Sequence, residues 1–223
     1  MKKFLSFVLT LTIVFALSAC GNSGSTESIS SAVPTSERES STTPQEPPTT
    51  DESAPQSQPE AEAASASLVV YFSWSGNTES VANEIQAQTG ADIFEITPAE
   101  PYTDDYNTLL DVAQEEQANE ARPAIAGTVK NFDQYDVVYL GYPNWWGDMP
   151  MILYTFLDEY DFSGKTLAPF VTSGGSGFSG TIGTIENMEP DAAVTKGLSL
   201  GSSEAADPAG AVTQWLSEIG LAD

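Results

Sequence analysis

From Leu68 onward, short apolar runs alternate with stretches in which apolar residues recur every three or four positions. Leu68–Phe72, Ala91–Ile96, Val137–Tyr142, Thr166–Thr172 and Ala193–Leu200 have the length and composition of strands. Between and after them, Thr78–Thr89, Asp104–Ala121, Pro150–Tyr160, Gly180–Met188 and Ala211–Ile219 read as helices. Val81, Ala82 and Ile85 share one face of the first helix, and Gly90 stands where it would stop. The run VVYLGY, Val137–Tyr142, is the most hydrophobic, as expected of a strand buried on both faces. Asp92 and Glu95 suit a sheet edge. This alternation predicts an α/β fold, a doubly wound five-stranded parallel sheet with helices on both faces. In the order 2-1-3-4-5 the first, third and fourth strands are neighbours. Ligands of such sheets bind beyond the carboxyl ends of the strands, where the strand order reverses direction.

The pattern before Leu68 is of another kind. Lys2 and Lys3 precede an apolar run, Phe4 to Leu17, that is shorter than the roughly 20 residues of a spanning helix. A basic start, a short apolar core and small residues suit a secretory signal. The run ends in Leu17-Ser18-Ala19-Cys20 followed by Gly21. This resembles the bacterial lipoprotein signal, in which the cysteine is lipidated and becomes the new N-terminus. Residues 21–67 are rich in Ser, Thr, Pro, Glu, Gln and Ala, and carry too little apolar surface to offset the entropy of ordering. They read as a disordered tether with a reach of about 40 Å. The expected organisation is a signal peptide over 1–20, a tether over 21–67 and one folded domain over 68–223. The expected location is the extracytoplasmic face of the cell membrane, held by lipid on Cys20.

Charge and composition narrow the chemistry. The formal net charge is −25, and the basic residues of the folded part are Arg122, Lys130, Lys165 and Lys196. A field of that sign repels nucleic acid and anionic lipid and favours basic partners, or it simply keeps a secreted protein soluble. The chain has no histidine, and its single cysteine is Cys20. That excludes disulfides, thiol nucleophiles, histidine triads and Cys/His zinc sites from the domain. Demanding chemistry there would fall to a cofactor.

Three loops leave the neighbouring strand ends with unusual residues. In SWSGNT, Ser73, Ser75 and Thr78 offer hydroxyls, Asn77 an amide and Trp74 a ring, while Gly76 permits close backbone approach. The helix that follows adds free N–H groups and the positive end of its dipole. Triphosphatase loops carry a lysine, and this one has none, which suits a monophosphate met by many hydrogen bonds. In PNWWGDMP, Pro143, Asn144, Trp145, Trp146, Gly147 and Asp148 follow the third strand, and the paired tryptophans could form one wall for a flat aromatic ligand. In TSGGSG, Thr172, Ser173, Gly174, Gly175, Ser176 and Gly177 offer backbone with few side chains.

Taken together, YFSWSGNT, YPNWWGDMP and TSGGSG resemble the phosphate loop and the two ring-enclosing loops of the short-chain flavodoxins, which bind FMN. The resemblance implies the flavodoxin-like fold, FMN as cofactor and electron transfer or oxidoreductase activity. It places the eighteen loop residues named above around FMN. It also implies that a glycine-containing peptide at Gly147-Asp148 can reorient beside the ring, and that Asp148 would lower the potential by its charge. The lipoprotein signal and tether depart from soluble flavodoxins, so the family's partners do not carry over. The redox partner is unknown, with a basic or a membrane-bound one favoured, and no nucleic acid is expected. Alternative readings are an NAD(P)H-dependent flavin or quinone reductase, and a flavin-binding or interaction lipoprotein without turnover.

Overall fold

The computed structural model describes residues 66–222. The expected signal peptide over 1–20, with Cys20, and the expected tether as far as residue 65 lie outside the described residues. Strand β1 (Ser67–Tyr71) leads into helix α1 (Asn77–Thr89), which Gly90 ends at φ 65° with its N–H on the Gln86 carbonyl. Strands β2 (Asp92–Glu95) and β3 (Thr97–Pro98) precede α2 (Tyr106–Ala118), whose start is capped by Asp105 accepting from Thr108 N at 2.8 Å. Next come β4 (Ile125–Ala126), a 3-10 turn (Phe132–Gln134), β5 (Val137–Pro143) and α3 (Met151–Glu159). The chain ends through β6 (Thr166–Ser173), α4 (Thr181–Met188), β7 (Ala193–Val194), β8 (Leu198–Gly201), α5 (Ser202–Ala205) and α6 (Ala209–Ile219).

The main sheet is parallel, in the order β2-β1-β5-β6-β7, with β8 also paired to β6. The expected order 2-1-3-4-5 is therefore the order observed, with the edge place shared by β7 and β8. A small antiparallel pair, β3 with β4, was not legible because each piece is two residues long. Among the described residues no helix is long and apolar enough to cross a membrane.

The period of two along the strands sorts the core into two layers. Leu68, Val70, Val138, Leu140, Leu167 and Val171 face α3, which contributes Ile152, Leu153, Phe156 and Leu157. Val69, Tyr71, Val137, Tyr139, Ala168 and Phe170 face α1 and α6, where Val81, Ala82, Ile85, Val212, Trp215 and Leu216 cover them. Each large apolar side chain so buried contributes about 1.5–3 kcal/mol. Lys165 is buried as well, its ammonium bonded to the carbonyls of Phe132, Asp133 and Tyr135, so it closes the 3-10 turn.

The last strand departs from the unbroken Ala193–Leu200 expected. Leu167 pairs with Val194, but Phe170 pairs with Leu198, so the edge strand holds one extra residue across from Ala168 and Pro169. Leu167 faces this edge, accepting from Thr195 N at 2.9 Å. Pro169, two residues on, faces the same way and has no N–H to give. The ladder breaks there and resumes after the bulge.

At the middle of the sheet, Gly141 pairs with Phe170, whose ring lies over the glycine. A Cβ on Gly141 would stand 2.0 Å from the Phe170 ring. Gly141→Ala is expected to destabilise the domain by about 1–3 kcal/mol, as overpacking in a filled core does. A denaturant titration checks this, and an unchanged midpoint would show that the ring yields freely.

Candidate cofactor site

Because β1, β5 and β6 run parallel and side by side, their carboxyl ends open on one rim. A cavity of about 480 Å³ lies there. Trp74, Ser75 and Asn77 line it from the first loop, Pro143, Asn144, Trp145 and Trp146 from the second, and Thr172, Ser173 and Gly174 from the third. Five lining residues were missed by sequence reasoning: Tyr106, Leu109, Leu110 and Ala113 of α2, and Ser202 after β8. Helix α2 carried an unused signal, since its apolar stripe faces the cavity and leaves little for the core. No lining residue bears a charge.

In the first loop Gly76 sits at φ 84° and no side chain caps α1. The first-turn amides of Asn77, Thr78 and Glu79 therefore keep their donors for a ligand. Ser73 takes the Gly76 N–H at 3.2 Å, and Asn77 donates to Ser75 Oγ at 3.2 Å, so these side chains shape the loop. Thr78 does not line the cavity. Its side chain is buried, with Oγ1 2.8 Å from Thr172 Oγ1, and this pair ties the start of α1 to the end of β6.

The second loop is a tight turn with Trp145 and Asp148 bonded to each other in both directions, at 2.9 and 3.0 Å. Trp146 (φ 54°) and Gly147 (φ 82°) occupy its centre, both left-handed as in a type I′ turn. For a tryptophan that backbone costs about 1–2 kcal/mol. Offsetting it, the indole N–H donates to the Leu110 carbonyl at 3.1 Å and Gly147 N to Asn144 Oδ1 at 3.0 Å. Both indoles line the cavity, and they pack against different elements. Trp145 packs edge-on against Phe72 and Tyr102, at 5.4 and 5.5 Å, whereas Trp146 is 51% exposed and reaches across to α2.

Asp148 and Gly147 lie outside the lining. The Asp148 carboxylate accepts from Met149 N at 2.7 Å, from the Tyr154 hydroxyl of α3 at 2.9 Å and from Gln117 Nε2 of α2 at 3.5 Å, so it sits between the two helices. Burial, then this carboxylate, pushes the Tyr154 hydroxyl up to about 12. The Asp148 carboxylate therefore makes no contact with the cavity and could act on a ring there only through its charge at a distance. In the third loop Ser173 Oγ accepts from Gly175 N at 3.2 Å and Gly177 N at 2.9 Å. Gly175 and Gly177 have φ of 123° and 58°, and with Ser73, Gly76 and Ser176 they shape the rim without lining the cavity. Among the described residues no group of His, Cys, Asp and Glu could hold a metal ion.

The site fits a flat aromatic ring with a polar, phosphate-bearing end. Four aromatic residues enclose it, hydroxyls and amides gather at one side, and the uncapped start of α1 supplies free donors. Comparison with known proteins points the same way. The sequence profile of the flavodoxin family matches residues 66–219. A flavoprotein from Bacteroides eggerthii DSM 20697 is 36% identical over 70% of this chain and 98% of its own, with a TM-score of 0.63. One from Bacteroides uniformis ATCC 8492 is 31% identical over 69% and 98%, with a TM-score of 0.62. A flavoprotein from Lactobacillus acidophilus NCFM, crystallised with FMN, shares the fold at 24% identity and a TM-score of 0.55, over 66% of this chain and 99% of its own. Comparison with curated proteins gives no match.

The buried hydroxyl pair makes a direct test of the rim's construction. Thr78→Val alone leaves Thr172 without its partner and is expected to cost about 1–3 kcal/mol. Adding Thr172→Val should cost less than the sum of the two single changes, and additive losses in a thermal-melt cycle would show that the bond contributes nothing.

Proposed function

The chain belongs to the flavodoxin family, and from that premise we propose that it is a membrane-anchored, extracytoplasmic FMN protein that passes electrons between redox partners. One observation carries the reading. Three loops at the ends of adjacent parallel strands close an aromatic cavity with no charged side chain in its lining. Such a lining offers hydroxyls, amides and rings but no charged acid or base, which suits a site whose demanding chemistry falls to what it binds. The FMN held by the Lactobacillus acidophilus relative supports the same cofactor here.

FMN, when bound, supplies electron storage. The chain's residues supply the rest. The amides of Asn77, Thr78 and Glu79 and the side chains of Ser75 and Asn77 would hold the phosphate. Trp74, Tyr106, Trp145 and Trp146 exclude water from the ring and orient it. Trp146 and Tyr106, 51% and 59% exposed, leave one edge accessible to a partner. Anchoring rests on the sequence Leu17-Ser18-Ala19-Cys20. The net charge of −25 supports a basic or membrane-bound partner and argues against nucleic acid.

Protein incubated with FMN and desalted is expected to keep the visible bands of oxidised flavin. Ser75→Glu, which sets a carboxylate against the phosphate, should weaken FMN at least 100-fold, about 2.7 kcal/mol. A colourless wild-type protein would sink the reading. Independently, cells grown with a labelled fatty acid should transfer the label to the protein and not to Cys20→Ala, and an unlabelled wild-type protein would remove the lipid anchor from the proposal.

A further inference from the structure

Gly201 ends β8, and the next residue, Ser202, lines the cavity although its strand stands at the edge of the sheet. The bulge in that edge decides which residue arrives there. Before the bulge Leu167 pairs with Val194. After it Ser173 pairs with Gly201, one residue further on than the first register would give. Ser202 therefore comes level with Gly174 of the third loop. In an unbulged strand that place would fall to Gly201, which has no side chain. The shift also changes face. Val194 packs with the α3 layer, whereas Leu198 and Leu200, an even number of residues further on, lie in the layer of α1 and α6. A strand of strict period two would have kept all three on one side. Re-aiming side chains beside a binding site is a common use of a bulge.

On the α1 side, Ser202 has the phosphate loop for a neighbour. Ala205 of α5 is buried with Val81 and Ala82 of α1. The turn after α5, Ala206 to Pro208, lines one groove together with Gly76, Glu79 and Ser80. Ser202 itself shares the cavity lining with Ser75 and Asn77. Its hydroxyl differs from the other serine and threonine hydroxyls of that lining. Ser75 accepts from Asn77, Thr172 is bonded to Thr78, and Ser173 accepts from Gly175 and Gly177. Ser202 Oγ bonds to no other described residue, so its donor and its acceptors are kept for what enters the cavity.

We propose that Ser202 is a phosphate-binding residue, supplied by a fourth loop at the end of the edge strand that completes the cradle begun by SWSGNT. The assignment rests on the flavin reading for the identity of the phosphate, and not for its geometry. Helix α5 is a single turn of four residues, so only the hydroxyl is given a part. A hydroxyl donating to a charged oxygen makes a short, strong bond. It needs no cation, in keeping with a lining that carries no charge.

Fluorescence titrations of FMN and of riboflavin, which lacks the phosphate, read the role directly. Ser202→Ala should raise the FMN dissociation constant about tenfold and leave that of riboflavin unchanged. Ser203→Ala, one residue on and exposed, should change neither, and flavin-free Ser202→Ala should melt with the wild type. An unchanged FMN constant in Ser202→Ala overturns the assignment. So does an equal loss for both flavins, which would place the hydroxyl on the sugar or the ring. A parallel titration needs no flavin. Inorganic phosphate should shift the amide resonances of Asn77, Thr78 and Ser202 in the wild type, and Ser202→Ala should need about tenfold more phosphate for the same shift at Asn77. Equal shifts in the two proteins overturn the assignment. If the wild type bound neither flavin, the flavin reading would fall and the phosphate titration would decide Ser202 alone, an unresponsive wild type overturning it.

Discussion

Strand β5 is buried from Val137 to Tyr142 and flanked on both sides, so each of its backbone groups must find a partner in β1 or β6. It can do so only while both neighbours keep their register, Val70 with Leu140 on one side and Pro169 with Leu140 on the other. Since all three strands are parallel, that register also fixes where their loops begin. The loop after β1 starts one residue past the Tyr71–Gly141 pair, and those after β5 and β6 start beyond the pair Pro143–Thr172. The site is therefore a by-product of the ladder. Burial of the strands sets the register, the register aligns the loop origins, and the loops close on one cavity.

The rim holds itself together with its own polar groups before any ligand arrives. Ser73 takes the amide of Gly76, Ser173 takes those of Gly175 and Gly177, and Asn144 joins the loops after β5 and β6. Each bond contributes only about 0.5–1.5 kcal/mol, yet each removes a donor that would otherwise need water. The uncapped first turn of α1 keeps its own donors for a ligand. This division of labour explains why so many of the polar loop residues shape the cavity from outside its lining.

The fold was legible because its elements obey clean periods. The apolar run of β5 and the 3.6-residue stripes of α1, α3 and α6 each have one reading. The edge strand misled because its break is caused by Pro169 on the neighbouring strand, and no pattern within Ala193–Leu200 records it. The loops were legible as chemistry and not as geometry. Small, hydroxylated and aromatic residues at strand ends announce a ligand, but whether Thr78 points outward or into Thr172, and whether Asp148 faces the cavity or Tyr154, depends on contacts 94 and 6 residues apart. Helix α2 was expected from the sequence only as a helix over Asp104–Ala121. Its role as a cavity wall follows from Leu109 and Ala113 being buried at the rim, which only the tertiary placement shows.

A phosphate held without a cation, in a protein of net charge −25, looks at first like an electrostatic contradiction. The magnitudes resolve it. A carboxylate about 6 Å away through water-like surroundings opposes a unit charge by about 0.7 kcal/mol before salt screens it. A hydrogen bond from an amide to a charged oxygen contributes about 1.5–3 kcal/mol, and the uncapped turn at Asn77, Thr78 and Glu79 points several such donors at one place. Short-range donors thus outweigh a diffuse field of the same sign. Glu79, in the same first turn, is an opposing charge, and its exposure to solvent screens it. Adding a lysine to the loop would strengthen the hold on any phosphate, nucleotides included. A cradle built from amides and hydroxyls leaves the selection to the aromatic walls, which only a ligand with a flat ring can fill.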